Sequence, residues 1–148
     1  MKPLFTTIHI SGGDEMMKVS KIKSNFTKIL GVSILTSMDS KQAKKYYNEA
    51  NISILVKKFA KAAKNNKLDG VVCSPKEIKY IRKEVGKNFI IVTPGIRFEN
   101  RIKSDDQKRV ATPKMAIDLG ANYLVIGRPI TESSNPLKVL KEINNTIS

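Results

Sequence analysis

The sequence predicts a parallel α/β fold, on three observations. Five short apolar runs rich in β-branched residues recur along the chain, amphipathic helical segments separate them, and three of those segments open on a Ser, Thr or Asn followed by Pro. Near-continuous hydrophobic strands mark a parallel sheet covered on both faces, because alternation is lost when neither face meets water. Alternating strand and helix with right-handed crossovers follows from that order.

The first run, Phe5 to Ile10, ends in Ser11-Gly12-Gly13, and the helix after it carries Met16-Met17, both expected to face the interior. The second run is Gly31 to Leu35; beyond it Leu55, Val56, Phe59, Ala60 and Ala63 fall at helical spacing, with Lys57, Lys58, Lys61 and Lys64 on the outer face. After the third run, Gly70 to Cys73, Ser74 supplies an N-cap and Pro75 the first helical position; Ile78, Ile81 and Val85 follow, and Gly86 closes the helix. The fourth run, Phe89 to Thr93, precedes a long polar segment from Arg97 to Val110. A loop of that length in a compact domain is functional or mobile. Thr112-Pro113 opens a helix with Ala116, Ile117 and Leu119 ahead of Gly120, and the fifth run is Tyr123 to Ile126. Asn135-Pro136 opens the last helix, with Leu137, Leu140, Ile143 and Ile147 as its expected buried stripe. Five βα units of about 30 residues each fill the 148 residues, and no linker divides them, so residues 1–148 read as a single domain.

Composition removes several function classes. The length falls short of a complete (β/α)₈ barrel, which takes about 250 residues. A single cysteine excludes an internal disulfide framework and a Cys-rich zinc site. The 27 Lys+Arg against 13 Asp+Glu give a formal charge of +14, but 22 of the cations are Lys and five are Arg. Base-edge and bidentate phosphate recognition favour Arg, and the lysines are spread along the whole chain. They read as solvated helix faces rather than a nucleic-acid surface. No apolar run approaches the roughly 18 residues of a membrane span, and Met1-Lys2-Pro3-Leu4 has no apolar secretory core. A soluble, cytoplasmic protein is expected.

In parallel α/β proteins ligands lie beyond the carboxyl ends of the strands. Here those positions are His9 to Gly13, Leu35 to Met38, Cys73 to Pro75, Thr93 to Arg97 and Ile126 to Pro129. The last two bring Gly together with Arg. Glycine lets a backbone N–H approach an anion, and Arg offers a planar fork to two phosphate oxygens. A phosphorylated small molecule held by Arg97, Gly127 and Arg128 is the ligand this arrangement suggests; the alternative is that these arginines only pair with neighbouring carboxylates.

Seven motifs in register then carry a resemblance. They are Phe5 to Gly13 with Met16-Met17; Leu35-Thr36-Ser37-Met38; Leu68 to Ser74; Val92 to Arg97; Asp106-Gln107 with Arg109; Thr112-Pro113; and Tyr123 to Thr131. Together they resemble orotidine 5'-phosphate decarboxylase of the bacterial type over almost the entire chain. The resemblance implies a (β/α)₈ barrel, of which this chain would hold about five units corresponding to strands four to eight. It implies conversion of orotidine monophosphate to uridine monophosphate and CO₂, a step of pyrimidine biosynthesis, without metal or cofactor. It further implies that Thr36, with Ser37 beside it, grips the pyrimidine, and that Arg97, Gln107, Gly127 and Arg128 hold the phosphate. Pro94 is a further expected substrate contact, and the segment Arg97 to Val110 would close over the ligand.

The departure from the family is on the amino-terminal side. The first strand here matches the family's fourth, so the units carrying the ribose-holding Asp and the Lys/Asp array are absent. The family's Asp-x-Lys-x-x-Asp appears at no strand end of this chain; Asp69 begins a strand, which is the stability face of a barrel. No catalytic residue is therefore assigned, and the chain alone is expected to be inactive, since binding without transition-state contacts accelerates nothing. A non-catalytic phosphate- or nucleotide-binding module is the alternative.

Such an arc has two open edges. Three readings are open: a remnant of a decayed or split gene, an arc completed by a second copy or by a separate amino-terminal fragment, or a reading frame started at an internal Met. Among the remaining residues, His9 reads as a structural histidine, Cys73 as a buried small hydrophobe, and Ser74 and Thr112 as caps.

Overall fold

The computed structural model describes residues 2–98 and 111–147. Five strands form one sheet, ordered as they occur in the chain: β1 (Phe5–His9), β2 (Lys28–Val32), β3 (Gly70–Val72), β4 (Ile90–Thr93) and β5 (Tyr123–Leu124). Every neighbouring pair is parallel. Helices α1 (Asp14–Lys23), α2 (Ser40–Tyr47), α3 (Ile52–Asn65), α4 (Ile78–Val85), α5 (Pro113–Asp118), α6 (Arg128–Thr131) and α7 (Pro136–Ile147) fill the crossovers and follow the last strand.

Two of the three expected side-chain caps, Thr112 and Asn135, form; at Ser74 the turn is closed by Glu77. Glu77 reaches back to accept from the Ser74 N–H at 2.9 Å, closing a 3₁₀ turn over Pro75–Glu77 that leads into α4. Thr112 Oγ1 accepts from the Met115 N–H at 3.3 Å, and Asn135 Oδ1 accepts from the Lys138 N–H at 3.0 Å. Gly86 ends α4 at φ +82°, a conformation that costs a residue with Cβ and suits glycine.

Three expectations are corrected and one element is added. The second strand runs Lys28–Val32 rather than Gly31 to Leu35, because pairing to β1 sets Phe5 opposite Lys28 and His9 opposite Val32. Past Val32 the chain leaves the ladder at Ser33, whose N–H and hydroxyl both donate to the Val72 carbonyl, at 3.1 and 2.9 Å. A further helix, α2, lies between β2 and β3; Asp39 and Gln42 cap it reciprocally, with the Gln42 N–H donating to Asp39 at 2.9 Å. The apolar stripe of the last helix is buried only at Ile143, while Leu137 and Leu140 are 64% and 42% exposed. Met16-Met17 likewise divides: Met17 is buried and Met16 is exposed.

Paired residues of a parallel sheet share a face, so the register sorts the side chains. Ile29, Gly31, Val71 and Ile91 lie on the helix side, where Ile29, Val71 and Ile91 join Ala60, Ile78, Ile81 and Ala116 in the main core. Full burial of one such side chain is worth about 1.5–3 kcal/mol. Phe5, Thr7, His9, Leu30, Val32, Gly70, Val72, Val92 and Tyr123 lie on the opposite face.

That face is concave. Phe5 and Tyr123 stand on the two outermost strands, yet their rings meet edge to face with centroids 5.0 Å apart. In a flat sheet four strand intervals of about 4.8 Å would hold those strands about 19 Å apart. The sheet is therefore rolled into a half-cylinder whose edges oppose each other.

Two clusters of polar ties sit at the amino ends of the strands. Lys21 Nζ reaches both carboxylate oxygens of Asp69 at 2.7 Å, and Asp69 accepts from the Ile29 N–H at 2.8 Å. The Arg82 guanidinium donates to the carbonyls of Gly86, Lys87, Phe89 and Gly120 and to Asn122 Oδ1. Burial pulls the Arg82 pKa below its ordinary value. Asp69 is thus a residue of the stability face, as its place at the start of β3 predicts.

Candidate functional site

The carboxyl ends of the five strands open on the other rim of the half-cylinder. After β1 the chain turns through Ile10–Gly12, with Ile10 buried and the His9 ring exposed. After β2, the Met38 N–H donates to the Leu35 carbonyl at 3.0 Å, which makes Thr36 and Ser37 the central residues of a β-turn. Thr36 is half-buried there and Ser37 exposed. Since β2 ends at Val32, Thr36 stands on this turn rather than directly on the strand end.

After β3, Cys73 and Ser74 are both buried and neither presents a nucleophile to solvent; Cys73 packs in the core, while the Ser74 hydroxyl makes no hydrogen bond among the described residues and the turn is closed by the Glu77 carboxylate instead. Buried Glu77 went unread in the sequence, although Ser-x-x-Glu over residues 74–77 is a capping signature visible there.

After β4 the Thr93-Pro94-Gly95-Ile96-Arg97 stretch is held rigidly. Gly95 adopts φ +78°, and Ile96 forms a parallel bridge with Ala111. The Arg97 N–H donates to the Ala111 carbonyl at 3.0 Å, and the Ala111 N–H donates to the Gly95 carbonyl at 3.3 Å. Pro94 is half-buried. Arg97 is only 6% exposed, and its guanidinium donates to its neighbour's carbonyl, Ile96 O, at 2.8 Å. Nothing in the sequence marks Ala111 as the partner that fixes this turn; an alanine carries no distinguishing chemistry.

After β5 the chain reaches Gly127, which has open space where a Cβ would sit, so its backbone can be approached closely. Arg128 begins α6 and is exposed. The β4 and β5 ends converge: Ile96, Arg97 and Phe98 line one crevice with Ile126 and Pro129. A cavity of about 880 Å³ shares Phe98, Pro113 and Pro129 with that crevice and is bounded by α7. Two of the expected phosphate-site elements, Arg97 and the segment that carries Gly127-Arg128, are therefore neighbours. Thr36 and Ser37 stand on the same rim, after β2. Gln107 and the rest of the expected closing segment, residues 99–110, lie outside the described residues. No lysine directly follows a strand among the described residues, and Lys76 in the turn after β3 is the nearest in sequence. Among those residues no three His, Cys, Asp or Glu side chains come together as a metal site, and no helix is long and apolar enough to cross a membrane.

A half-cylinder of five parallel βα units, with its polar and Gly-Arg residues gathered at the carboxyl rim, is part of a (β/α)₈ barrel. Comparison with solved structures agrees: orotidine 5'-phosphate decarboxylase from Lactobacillus acidophilus superposes with a TM-score of 0.81 at 33% identity, over 99% of this chain and 64% of that one. The archaeal enzyme of the same name from Pyrococcus horikoshii OT3 shares the fold at a TM-score of 0.69. The chain belongs to the orotidine 5'-phosphate decarboxylase / HUMPS family, whose model matches residues 4–143. Among curated relatives, the Coxiella burnetii orotidine 5'-phosphate decarboxylase is 47% identical over 146 residues, covering 95% of this chain and 61% of the relative. The Wolbachia pipientis protein of that name is 49% identical over 134 residues, covering 58% of its length. The chain thus spans about three-fifths of the curated relatives it matches and corresponds to their carboxy-terminal portion.

Proposed function

We propose that this chain, acting as one domain across residues 1–148, carries the phosphate- and pyrimidine-gripping portion of an orotidine 5'-phosphate decarboxylase site and does not by itself turn over orotidine monophosphate. The observation that carries the reading is the convergence of Arg97 with the Gly127-Arg128 segment at the carboxyl rim, through the crevice their neighbours share. Arg128 supplies an exposed planar fork, Gly127 an approachable backbone, and Thr36 and Ser37 two hydroxyls on the same rim for a base. Gln107 completes the proposed phosphate contacts, and Pro94 the wall beside them. The ligand is a uridine or orotidine monophosphate, bound without metal or cofactor, in a soluble cytoplasmic setting.

Inactivity follows from what the rim lacks. A decarboxylation leaves a carbanion that must be protonated, and a proton donor must stand within hydrogen-bond reach of it. No lysine directly follows a described strand, so the chain binds without the contacts that would favour the transition state.

The test is a thermal melt followed by circular dichroism, with and without excess uridine monophosphate. Binding to the native state at about 100 times Kd adds about 2.7 kcal/mol of stability, so the transition should rise with nucleotide. Arg128→Ala should abolish the rise while leaving the nucleotide-free melt in place, because Arg128 is exposed. A melt indifferent to nucleotide would refute the binding half of the reading. Spectrophotometric turnover of orotidine monophosphate by the pure chain, lost in Arg128→Ala, would refute the other half.

A further inference from the structure

The two proposed base contacts, Thr36 and Ser37, are carried by neither a strand nor a helix. β2 ends at Val32 and α2 begins at Ser40, with the turn between them. Side chains on a turn are held less closely than those on a strand, and a contact set must stand within about 0.5 Å of its working place. Whatever fixes this turn therefore decides how well it can grip a ligand.

Two anchors bracket it. On the far side Met38 packs against the core, and Asp39 caps α2 reciprocally with Gln42. On the near side stands Ser33, 4% exposed, whose N–H and Oγ both donate to the Val72 carbonyl, at 3.1 and 2.9 Å. The N–H bond extends the β2–β3 ladder by one rung and is independent of the side chain. The Oγ bond is different: it takes up the second lone pair of the same carbonyl and ties the Ser33 side chain to β3 at the point where the chain leaves the sheet. Ile34 follows, buried in the core, and then Leu35, whose carbonyl closes the turn over Thr36 and Ser37 by accepting from the Met38 N–H. The ladder does not depend on the hydroxyl, whereas the turn has it as its near anchor.

We infer that the Ser33 hydroxyl is a positioning group for the pyrimidine contacts: by clamping the exit of β2 to the Val72 carbonyl it fixes the turn that presents Thr36 and Ser37 to the base. Being buried, Ser33 acts through the turn and not on the ligand. The assignment rests on Thr36 as the pyrimidine contact, and it leaves the phosphate contacts after β4 and β5 unaffected.

The experiment is titration calorimetry of the 148-residue chain, Ser33→Ala and Ser33→Thr with two ligands, uridine monophosphate and ribose 5-phosphate, which carries the phosphate without the base. Ser33→Ala should weaken uridine monophosphate by about three- to tenfold, the range of one ordinary hydrogen bond, and ribose 5-phosphate by less than about twofold. Ser33→Thr keeps a hydroxyl on the same carbon and should restore the difference. Amide hydrogen exchange followed by NMR reads the turn without any ligand: the Met38 N–H should exchange faster in Ser33→Ala and at the original rate in Ser33→Thr. Equal losses for the two ligands, an unchanged Met38 exchange rate, or a Ser33→Ala chain that circular dichroism shows to be unfolded would each overturn the inference. A chain that binds neither ligand, or binds both alike, would defeat the pyrimidine reading, and the Met38 exchange would then decide the role of Ser33 in the turn.

Discussion

Replacing Arg82 tests the division between a stabilising rim and a binding rim. Its guanidinium donates at 2.8 Å to Gly86 O, 3.1 Å to Lys87 O and 2.7 Å to Phe89 O, and it also holds Gly120 O and Asn122 Oδ1 at the start of β5. One side chain thus ties the end of α4 to the beginnings of β4 and β5. Hydrogen bonds from charged donors are worth about 1.5–3 kcal/mol each, but here two nitrogens serve five acceptors and water can replace some of them. Arg82→Met, which keeps the apolar stem, should therefore cost about 2–4 kcal/mol. With a urea slope of about 2 kcal/mol per molar, the midpoint should fall by about 1–2 M at unchanged slope. Arg82→Lys should lie between, because an ammonium cannot span the fork of carbonyls. Burial lowers the guanidinium pKa, yet arginine stays protonated in folded proteins, so the loss should be the same at any pH near neutrality. A midpoint shift below about 0.3 M for Arg82→Met would refute the reasoning. So would a variant that remains folded but loses its response to uridine monophosphate, since Arg82 lies at the rim opposite the proposed site.

Other consequences can be measured with the same preparation. Asp69→Asn breaks the two-oxygen contact with Lys21, whose partners are 31% and 22% exposed, and should lower the thermal transition by an amount equivalent to about 1–3 kcal/mol. Asp39→Ala removes the cap of α2 and should cost about 1 kcal/mol by urea titration. Ile143→Ala should cost about 2–5 kcal/mol in the chain alone, while Leu140→Ala, 42% exposed on the same helix, should cost under about 1 kcal/mol. Cys73 is 1% exposed, so its thiol should resist a water-soluble disulfide reagent in the native chain and react fully once urea unfolds it.

The order of parallel strands and the capped helices were legible because each rests on local chemistry: β-branched runs, Pro at a first helical turn, and Gly at φ +82°. Strand limits were less so. β2 starts at Lys28 because β1 pairs with it there, and a charged residue at an exposed edge of the ladder carries no hydrophobic signal. The helix stripes were read as buried because helical spacing reports which residues share a side; what stands opposite that side is a property of other elements. Leu137 and Leu140 are exposed for that reason. At the site, Gly127, Arg97 and Arg128 could be picked out from residue type and position after a strand. The burial of Arg97 and its tether to Ala111 could not, since they depend on a long-range bridge.

That bridge has a consequence for how sequences of this kind can diverge. Ile96 and Ala111 bring the two ends of the intervening stretch together in a bridge just beyond β4, so the scaffold is indifferent to how many residues are strung between them. Doubling the length of such an excursion costs only about 0.6 kcal/mol in closure entropy. Insertions and deletions between positions 97 and 110 should therefore be tolerated where single substitutions at Gly95, Ile96 or Ala111 are not, and the mouth of the barrel can be retailored without the walls being rebuilt.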